Sequence, residues 1–365
     1  MAHTETVPAD MQAAVLTGFG GPEALELQRV PVPVPGPGEV LVRVAAAAMN
    51  NTDIWTRQGA YGLPGRPDAL AGWRGPIEFP RIQGGDISGT VVRPGDDVVG
   101  DWVGRRVLVD PAIYDGLGDD ANPIGLLGSE ADGGFAEYVV ARADQIHDVS
   151  SSPLTDEQLA CLPIAYGTAM GMLERGRLRD RETTLVTGAS GGVGLAAVQL
   201  AAARGAHVVA LTTPDKTAAI LDAGAAVVVH RDPDPTTTAA AIAAAVARAA
   251  PDGLDAVIDV VGGPLLPAVL DQVRDGGRWV IAGAVGGAGI ELDLRRLYLH
   301  TISLVGSSMH TRPHFRRLVD DAVTGVIQPH VAHRFSLEAI HAAQEAFARS
   351  DYVGKIVLTL HRQPD

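Results

Sequence analysis

The residues with the clearest chemical reading are TLVTGASGGVGLAAVQLA, at 184–201. A run of strand formers ends at Thr187. Gly188, Ala189, Ser190, Gly191, Gly192, Val193 and Gly194 then lead into an apolar helix starting near Gly191. Glycines let the backbone turn sharply and let a pyrophosphate approach the amides. The helix N-terminus adds free N–H groups and the positive end of its dipole. In this strand–turn–helix context the run predicts a dinucleotide site. The next strand, HVVALTT, ends in Thr212 and Thr213, followed by Asp215 and Lys216. NAD-binding sheets usually carry an acid about 20 residues on, to bond the ribose 2′-OH. With no acid at the strand end, two hydroxyls, Lys216 and, after the following strand, Arg231 point to a 2′-phosphate. NADPH is therefore the expected cofactor. Ligands of parallel sheets sit beyond the carboxyl ends of the strands, so Val260, Val261 and Gly262, and Ala282, Gly283 and Ala284, are expected beside it.

The elements around this loop alternate. TTLVTG, HVVALT, AVVVH, LDAVIDVVG, GRWVIAG and TISLVGSS are strand candidates separated mostly by helical patterns. That is the signature of a doubly wound parallel sheet, an α/β fold. The earlier half reads differently, as short strands between Pro/Gly turns, such as GPGEVLVRV, and suggests a bent sheet or partly open barrel. A helix is expected from Asp156 toward Leu173. After Ser307 the tail, ending in KIVLTL, is expected to return to the first domain. The expected division is 1–155 with 306–365, and 156–305. The stretch Gly62–Phe79 reads as a long loop able to cover a substrate.

The chain has 365 residues and a formal charge of −14, which disfavours general nucleic-acid binding. A single cysteine, Cys161, allows no intrachain disulfide or cysteine-rich metal site. The first residues, MAHTETVPADM, have no basic-then-apolar leader pattern, and no segment has the roughly 20 apolar residues of a membrane span. A cytoplasmic protein is expected.

GPGEVLVRV, MNNTDIWTRQGAY, GGDISGTV, GGFAEYVV, TGASGGVG and the terminal GKIVL, in this order, resemble the medium-chain dehydrogenase/reductase superfamily over nearly the whole chain. The resemblance implies a split GroES-like β-rich catalytic domain around a Rossmann domain. It places Asn50, Gly85 and Ile164 where zinc alcohol dehydrogenases carry their catalytic zinc ligands, and none of the three is a conventional one. No metal is expected. Without zinc the chain resembles the quinone oxidoreductase and enoyl reductase branch, with one departure: Gly116–Asp132 is longer than a minimal quinone reductase needs, like a metal lobe without its cysteines.

The resemblance also supplies candidates in the catalytic domain. Tyr61 matches a proton-donor position, Asn50 an orienting amide, Trp55 an aromatic near the cofactor and Thr168 a threonine packing by the nicotinamide. Tyr166 is a reserve donor, Asp53 a backbone brace and Lys355 a structural residue. His310, Arg312 and His314 read mainly as a solvated loop. The implied activity is hydride transfer from NADPH to an activated C=C or a quinone, the substrate being a small unsaturated carbonyl or quinone. The alternatives are a zinc-free carbonyl reductase or alcohol dehydrogenase, and a non-catalytic NADPH-binding protein. The strand TISLVG resembles the family's dimerisation strand and implies a homodimer.

Overall fold

The computed structural model describes residues 6–360. The first and last five residues of the expected catalytic domain, and part of the leader reading, lie outside the described residues. The chain forms two compact units. One comprises residues up to Ile164, then Thr311–Asp351 and the segment from Lys355. The other comprises Ala165–His310 with Tyr352–Gly354. The boundaries thus fall at 164/165 and 310/311, where the sequence suggested 155/156 and 305/306. At the first boundary the reason is local: the short helix Asp156–Ala160 packs on the strands Glu39–Ala48 and Asp86–Pro94 of the first unit.

The second unit holds a six-stranded parallel sheet: Thr183–Val186, His207–Thr212, Val227–His230, Leu254–Asp259, Val273–Ile281 and Ser303–Gly306. Numbered by sequence, their spatial order is 3-2-1-4-5-6, the order of a Rossmann fold. Helices cover such a sheet, which is why its strands are continuous apolar runs rather than alternating ones. Leu185, Val209, Leu211, Val257 and Trp279 form the core with Ile242, Val246, Leu266 and Val269. The alanine-rich helix Pro235–Ala249 begins at Asp234, whose carboxylate accepts the N–H groups of Thr236 and Thr237 at 3.2 and 3.0 Å.

The first unit is built on a seven-stranded sheet. At its centre Glu39–Ala48 lies antiparallel to Asp86–Pro94 on one side and to the closing strand Lys355–Thr359 on the other. The registers are Ala48 opposite Asp86 and Ala48 opposite Val357. Extended past its end, the central strand delivers Asn50 level with Lys355 and two residues beyond Ala48, the partner of Asp86. The expected helix from Asp156 toward Leu173 is broken: Asp156–Ala160, a π-helical stretch Leu162–Tyr166, then Gly167–Arg175. Among the described residues no helix is long and apolar enough to cross a membrane.

Candidate functional site

The glycine loop lies where the sequence placed it. Thr183–Val186 ends, Gly188 takes φ +57°, and the helix Gly192–Ala203 starts behind Gly191. Gly191 N–H donates to Gly188 O at 3.1 Å and Ala189 N–H to Leu211 O at 3.1 Å, closing a tight turn. A Cβ on Gly194 would lie 2.6 Å from the Gly188 carbonyl carbon and 2.9 Å from Ala189 Cα. Only hydrogen fits there, so the helix approaches its own turn closely. Gly354 N–H donates to Ser190 O at 2.9 Å, tying the loop's rim.

The neighbouring strand ends meet this loop in the same unit. Thr212 is buried, and its hydroxyl has no partner among the described residues. Arg231, exposed, is fixed through its N–H to Thr212 O at 2.8 Å. Thr213 and Lys216 flank the turn Pro214–Lys216. Asp215 is exposed there, its carboxyl held below the ordinary value first by the Thr213 hydroxyl. Thr168 is buried in the first turn of Gly167–Arg175.

Asp259, buried at the end of Leu254–Asp259, is a residue the sequence reading missed. Its Oδ1 accepts the Thr187 hydroxyl at 2.6 Å and the N–H groups of Val261 and Gly262 at 3.0 Å each. Its Oδ2 accepts Trp279 Nε1–H at 3.0 Å. One carboxylate therefore sets the loop Val260–Gly262. Gly286 N–H to Val261 O, at 2.8 Å, laces that loop to the segment of Ala282, Gly283 and Ala284. The signal was present: a lone acid closing an apolar strand is buried, and a buried carboxylate needs donors.

In the first unit, Asn50 caps the helix Asn51–Gln58. Asp53 accepts the Asn50 N–H at 2.7 Å and braces this turn. Burial pushes the Asp53 carboxyl up to about 7. Trp55 sits on the helix and meets Tyr61 edge-on, ring centroids 5.4 Å apart. Tyr61 is half-buried, and burial raises its phenol to about 12 against the opposing pull of the Thr52 hydroxyl. The phenol keeps its proton across the physiological range. Asn50 is committed on both amide atoms: Nδ2 donates to Asp86 Oδ2 at 2.9 Å, and Oδ1 accepts Lys355 Nζ at 2.6 Å.

This cluster stands where the family resemblance puts zinc ligands, and its chemistry is different. Zinc takes thiolate, imidazole or carboxylate donors. Here an amide, one carboxylate and an ammonium already neutralise one another. A side chain at Gly85 would begin 2.7 Å from Ile164 Cδ1 and 2.9 Å from Leu127 O, so a histidine there has no room without displacement. Among the described residues no group of three His, Cys, Asp or Glu is placed to hold a metal. Cys161 is buried, its Sγ–H donating to Glu157 O at 3.1 Å, and burial raises its thiol to about 12. It is not a reactive thiolate.

The 310–314 cluster departs from a solvated loop. His310 is fully buried in the second unit, packed on Gly167: a Cβ there would lie 3.0 Å from the His310 Cε1. Arg312 begins the helix Arg312–Thr324 in the first unit, with Nη2 2.8 Å from Asp144 Oδ2 and its guanidinium over the Tyr114 ring at 4.3 Å. His314 Nδ1 accepts the Thr311 N–H at 3.3 Å as part of that helix start. Packing and capping use these residues. The reserve donor Tyr166 is also committed, its hydroxyl donating to Gln199 Oε1 at 2.8 Å. The Gly62–Phe79 loop is pinned to the Gly116–Asp132 lobe of its own unit: Trp73 N–H donates to Ser129 Oγ at 3.0 Å and Arg74 N–H to Glu130 Oε1 at 2.8 Å.

Known proteins share this architecture. Residues 36–151 match the alcohol dehydrogenase GroES-like domain, and residues 192–324 match the family described as zinc-binding dehydrogenase. The chain is 30% identical to the acryloyl-coenzyme A reductase of Metallosphaera sedula, over 96% of this chain and 100% of that protein. It is 30% identical to the quinone oxidoreductase of Mus musculus, over 96% and 98%. A solved structure from Sinorhizobium meliloti 1021, whose alcohol dehydrogenase description is provisional, superposes with a TM-score of 0.91 at 45% identity, covering 97% of each chain. With the GroES-like unit, the 3-2-1-4-5-6 sheet and full-length relatives in agreement, the chain belongs to the medium-chain dehydrogenase/reductase superfamily of oxidoreductases.

Proposed function

We propose that this enzyme is a zinc-free, NADPH-dependent reductase of activated C=C bonds or quinones. The observation carrying the reading is the donor set around the zinc position at Asn50: Asn50, Asp86 and Lys355 satisfy one another, while the buried Thr212 hydroxyl, without a partner among the described residues, ends the strand whose last carbonyl holds the Arg231 N–H and which Lys216 follows. The similarity to acryloyl-coenzyme A reductase and quinone oxidoreductase supports the same acceptor chemistry.

In this reading the amides of Gly191–Gly194 hold the pyrophosphate, and Thr212, Thr213, Lys216 and Arg231 hold the 2′-phosphate. Val260–Gly262, Ala282–Ala284 and Thr168 orient the nicotinamide end. Bound NADPH supplies the hydride. Hydride addition to an enone leaves negative charge on the carbonyl oxygen and a carbon awaiting a proton. Tyr61 Oη, protonated because it is half-buried, donates a hydrogen bond to that charge or delivers the proton. Trp55 holds the Tyr61 ring by its edge. Asn50 keeps the turn before Trp55 in place.

The test is NADPH oxidation with enones, quinones and simple ketones, with product and metal analysis. Conjugated acceptors should be reduced at C=C or to the quinol, kcat/KM should be higher with NADPH than NADH, and the enzyme should carry no stoichiometric zinc. In the same assay Tyr61→Phe should lower kcat about a hundredfold. Reduction confined to simple ketones would favour the alcohol dehydrogenase chemistry of the Sinorhizobium neighbour's description. NADPH binding without turnover would leave a cofactor-binding protein.

We infer a homodimer as well. Ser303–Gly306 is an edge strand with Leu304 exposed, and Leu294, Tyr298 and Leu299 lie exposed on the segment before it. Pairing two edges would satisfy the open backbone groups and cover these apolar side chains. Light scattering should give twice the chain mass, and Leu304→Lys should shift it toward the monomer; a monomer at all concentrations would remove the inference. Cytoplasmic location follows the enzyme class proposed, and fractionation of the native cells checks it.

A further inference from the structure

We propose that Lys355 is a positioning residue: its ammonium is a fixed internal cation that holds Met49 and Asn50, and with them the helix carrying Trp55, against Asp86. The proposal rests on the metal-free reading above.

Lys355 is 4% exposed and Asp86 is fully buried. The ammonium has three hydrogens and three acceptors: Met49 O at 2.6 Å, Asn50 Oδ1 at 2.6 Å and Asp86 Oδ2 at 2.9 Å. The other Asp86 oxygen accepts the Ile164 N–H at 2.6 Å. Three stretches distant in sequence, at 49–50, 86 and 164, are thus gathered around one charge pair. No local rule brings 49–50 and 86 to the lysine; the two registers of the central strand do, since Asp86 and Lys355 flank its end from opposite sides, and Ile164 joins through its own N–H.

A buried charge is costly unless paired and bonded. Removing the lysine alone leaves the Asp86 carboxylate buried without its counter-charge, and leaves three oxygens aimed at one another around an empty point. Oxygens so arranged are a cation's environment. In this chain the cation is covalent and comes on the closing strand. The same three stretches contain or adjoin the positions where zinc relatives carry their metal ligands, so the lysine takes over the gathering of those stretches. It does not take over polarisation of a substrate, because all three donors point inward.

The experiment uses the full-length protein and the variants Lys355→Ala and Lys355→Ala/Asp86→Asn. Lys355→Ala should melt roughly 5 °C or more below wild type and lose about tenfold or more in kcat as the Trp55 segment loosens. Propylammonium, which replaces the deleted Cγ to Nζ atoms, should restore a substantial part of both losses. Tetramethylammonium at equal ionic strength, which has no N–H to donate, should restore neither. If the single variant does not fold, the double variant, with both charges gone, should fold and melt cooperatively. Wild-type melting and turnover in Lys355→Ala, equal rescue by tetramethylammonium, or a double variant no more stable than the single one would each overturn the proposal. Metal analysis of the wild type is separate. One zinc per chain would sink the metal-free reading, whereas a metal-free wild type with an unaffected Lys355→Ala would sink the role of Lys355 alone.

Discussion

Gly194→Ala should weaken binding of both NADPH and NADH by about a hundredfold or more, a loss of roughly 2.7 kcal/mol. The added methyl would meet the Gly188 carbonyl group and Ala189 Cα, all backbone. Backbone cannot rotate aside as a long side chain can, so the turn must open or the helix must retreat. Either movement breaks the Gly191-to-Gly188 hydrogen bond and withdraws the helix amides from the phosphates. The effect is on the shared pyrophosphate, so it should not discriminate between the two nucleotides. Gly289→Ala is the control, because a Cβ there meets nothing within 4 Å. Titration calorimetry, with circular dichroism to confirm folding, reads the outcome. Wild-type affinity in Gly194→Ala would mean that the dinucleotide does not dock on this turn.

That loop was legible because its chemistry is local: strand, turn and helix start are contiguous, and Gly191 and Gly194 both answer Gly188 a few residues away. The parallel sheet was legible for a similar reason, through alternation of short apolar runs and helices, whereas its strand order was found only in the structure. The catalytic unit was less so. Tyr61, Trp55 and Asn50 came from resemblance, which supplies positions without partners. Asn50 was read as free to orient a ligand, yet its amide is claimed by Asp86, 36 residues on, and Lys355, 305 residues on. Nothing in the local pattern reveals such pairs, since sheet register creates them. His310 and Arg312 show the converse. Their polar types suggested solvent, but a glycine at 167 admits the imidazole to the interior and Asp144 with Tyr114 holds the guanidinium. The helix from Asp156 was read as continuous because the apolar run Leu162–Tyr166 gives no local sign of the π-helical break it forms.

Asp53→Asn should change how stability depends on pH, in a direction opposite to most paired carboxylates. Asp53 is 3% exposed, and burial is the largest influence on its carboxyl. The Asn50 amide and the Lys355 ammonium pull its pKa down, the Asp86 charge pushes it up, and the balance lies at about 7 against an ordinary 3.8. A folded value above the unfolded one means that ionisation opposes folding. The cost is absent below the unfolded value, near pH 4, grows as pH rises, and is complete above about pH 7. A difference of about three pH units corresponds to something on the order of 4 kcal/mol. Denaturant unfolding of wild type and Asp53→Asn isolates this residue, because every other titrating group is common to both. From about pH 5 to pH 8 wild type should lose stability relative to the variant, by more than about 1 kcal/mol even if local relaxation absorbs most of the penalty. A constant difference across that range would mean that Asp53 ionises at its ordinary value. In that case the turn before Trp55 would be held by a charged carboxylate that shares Lys355 with Asp86, and breaking the lysine would then expose two buried charges rather than one.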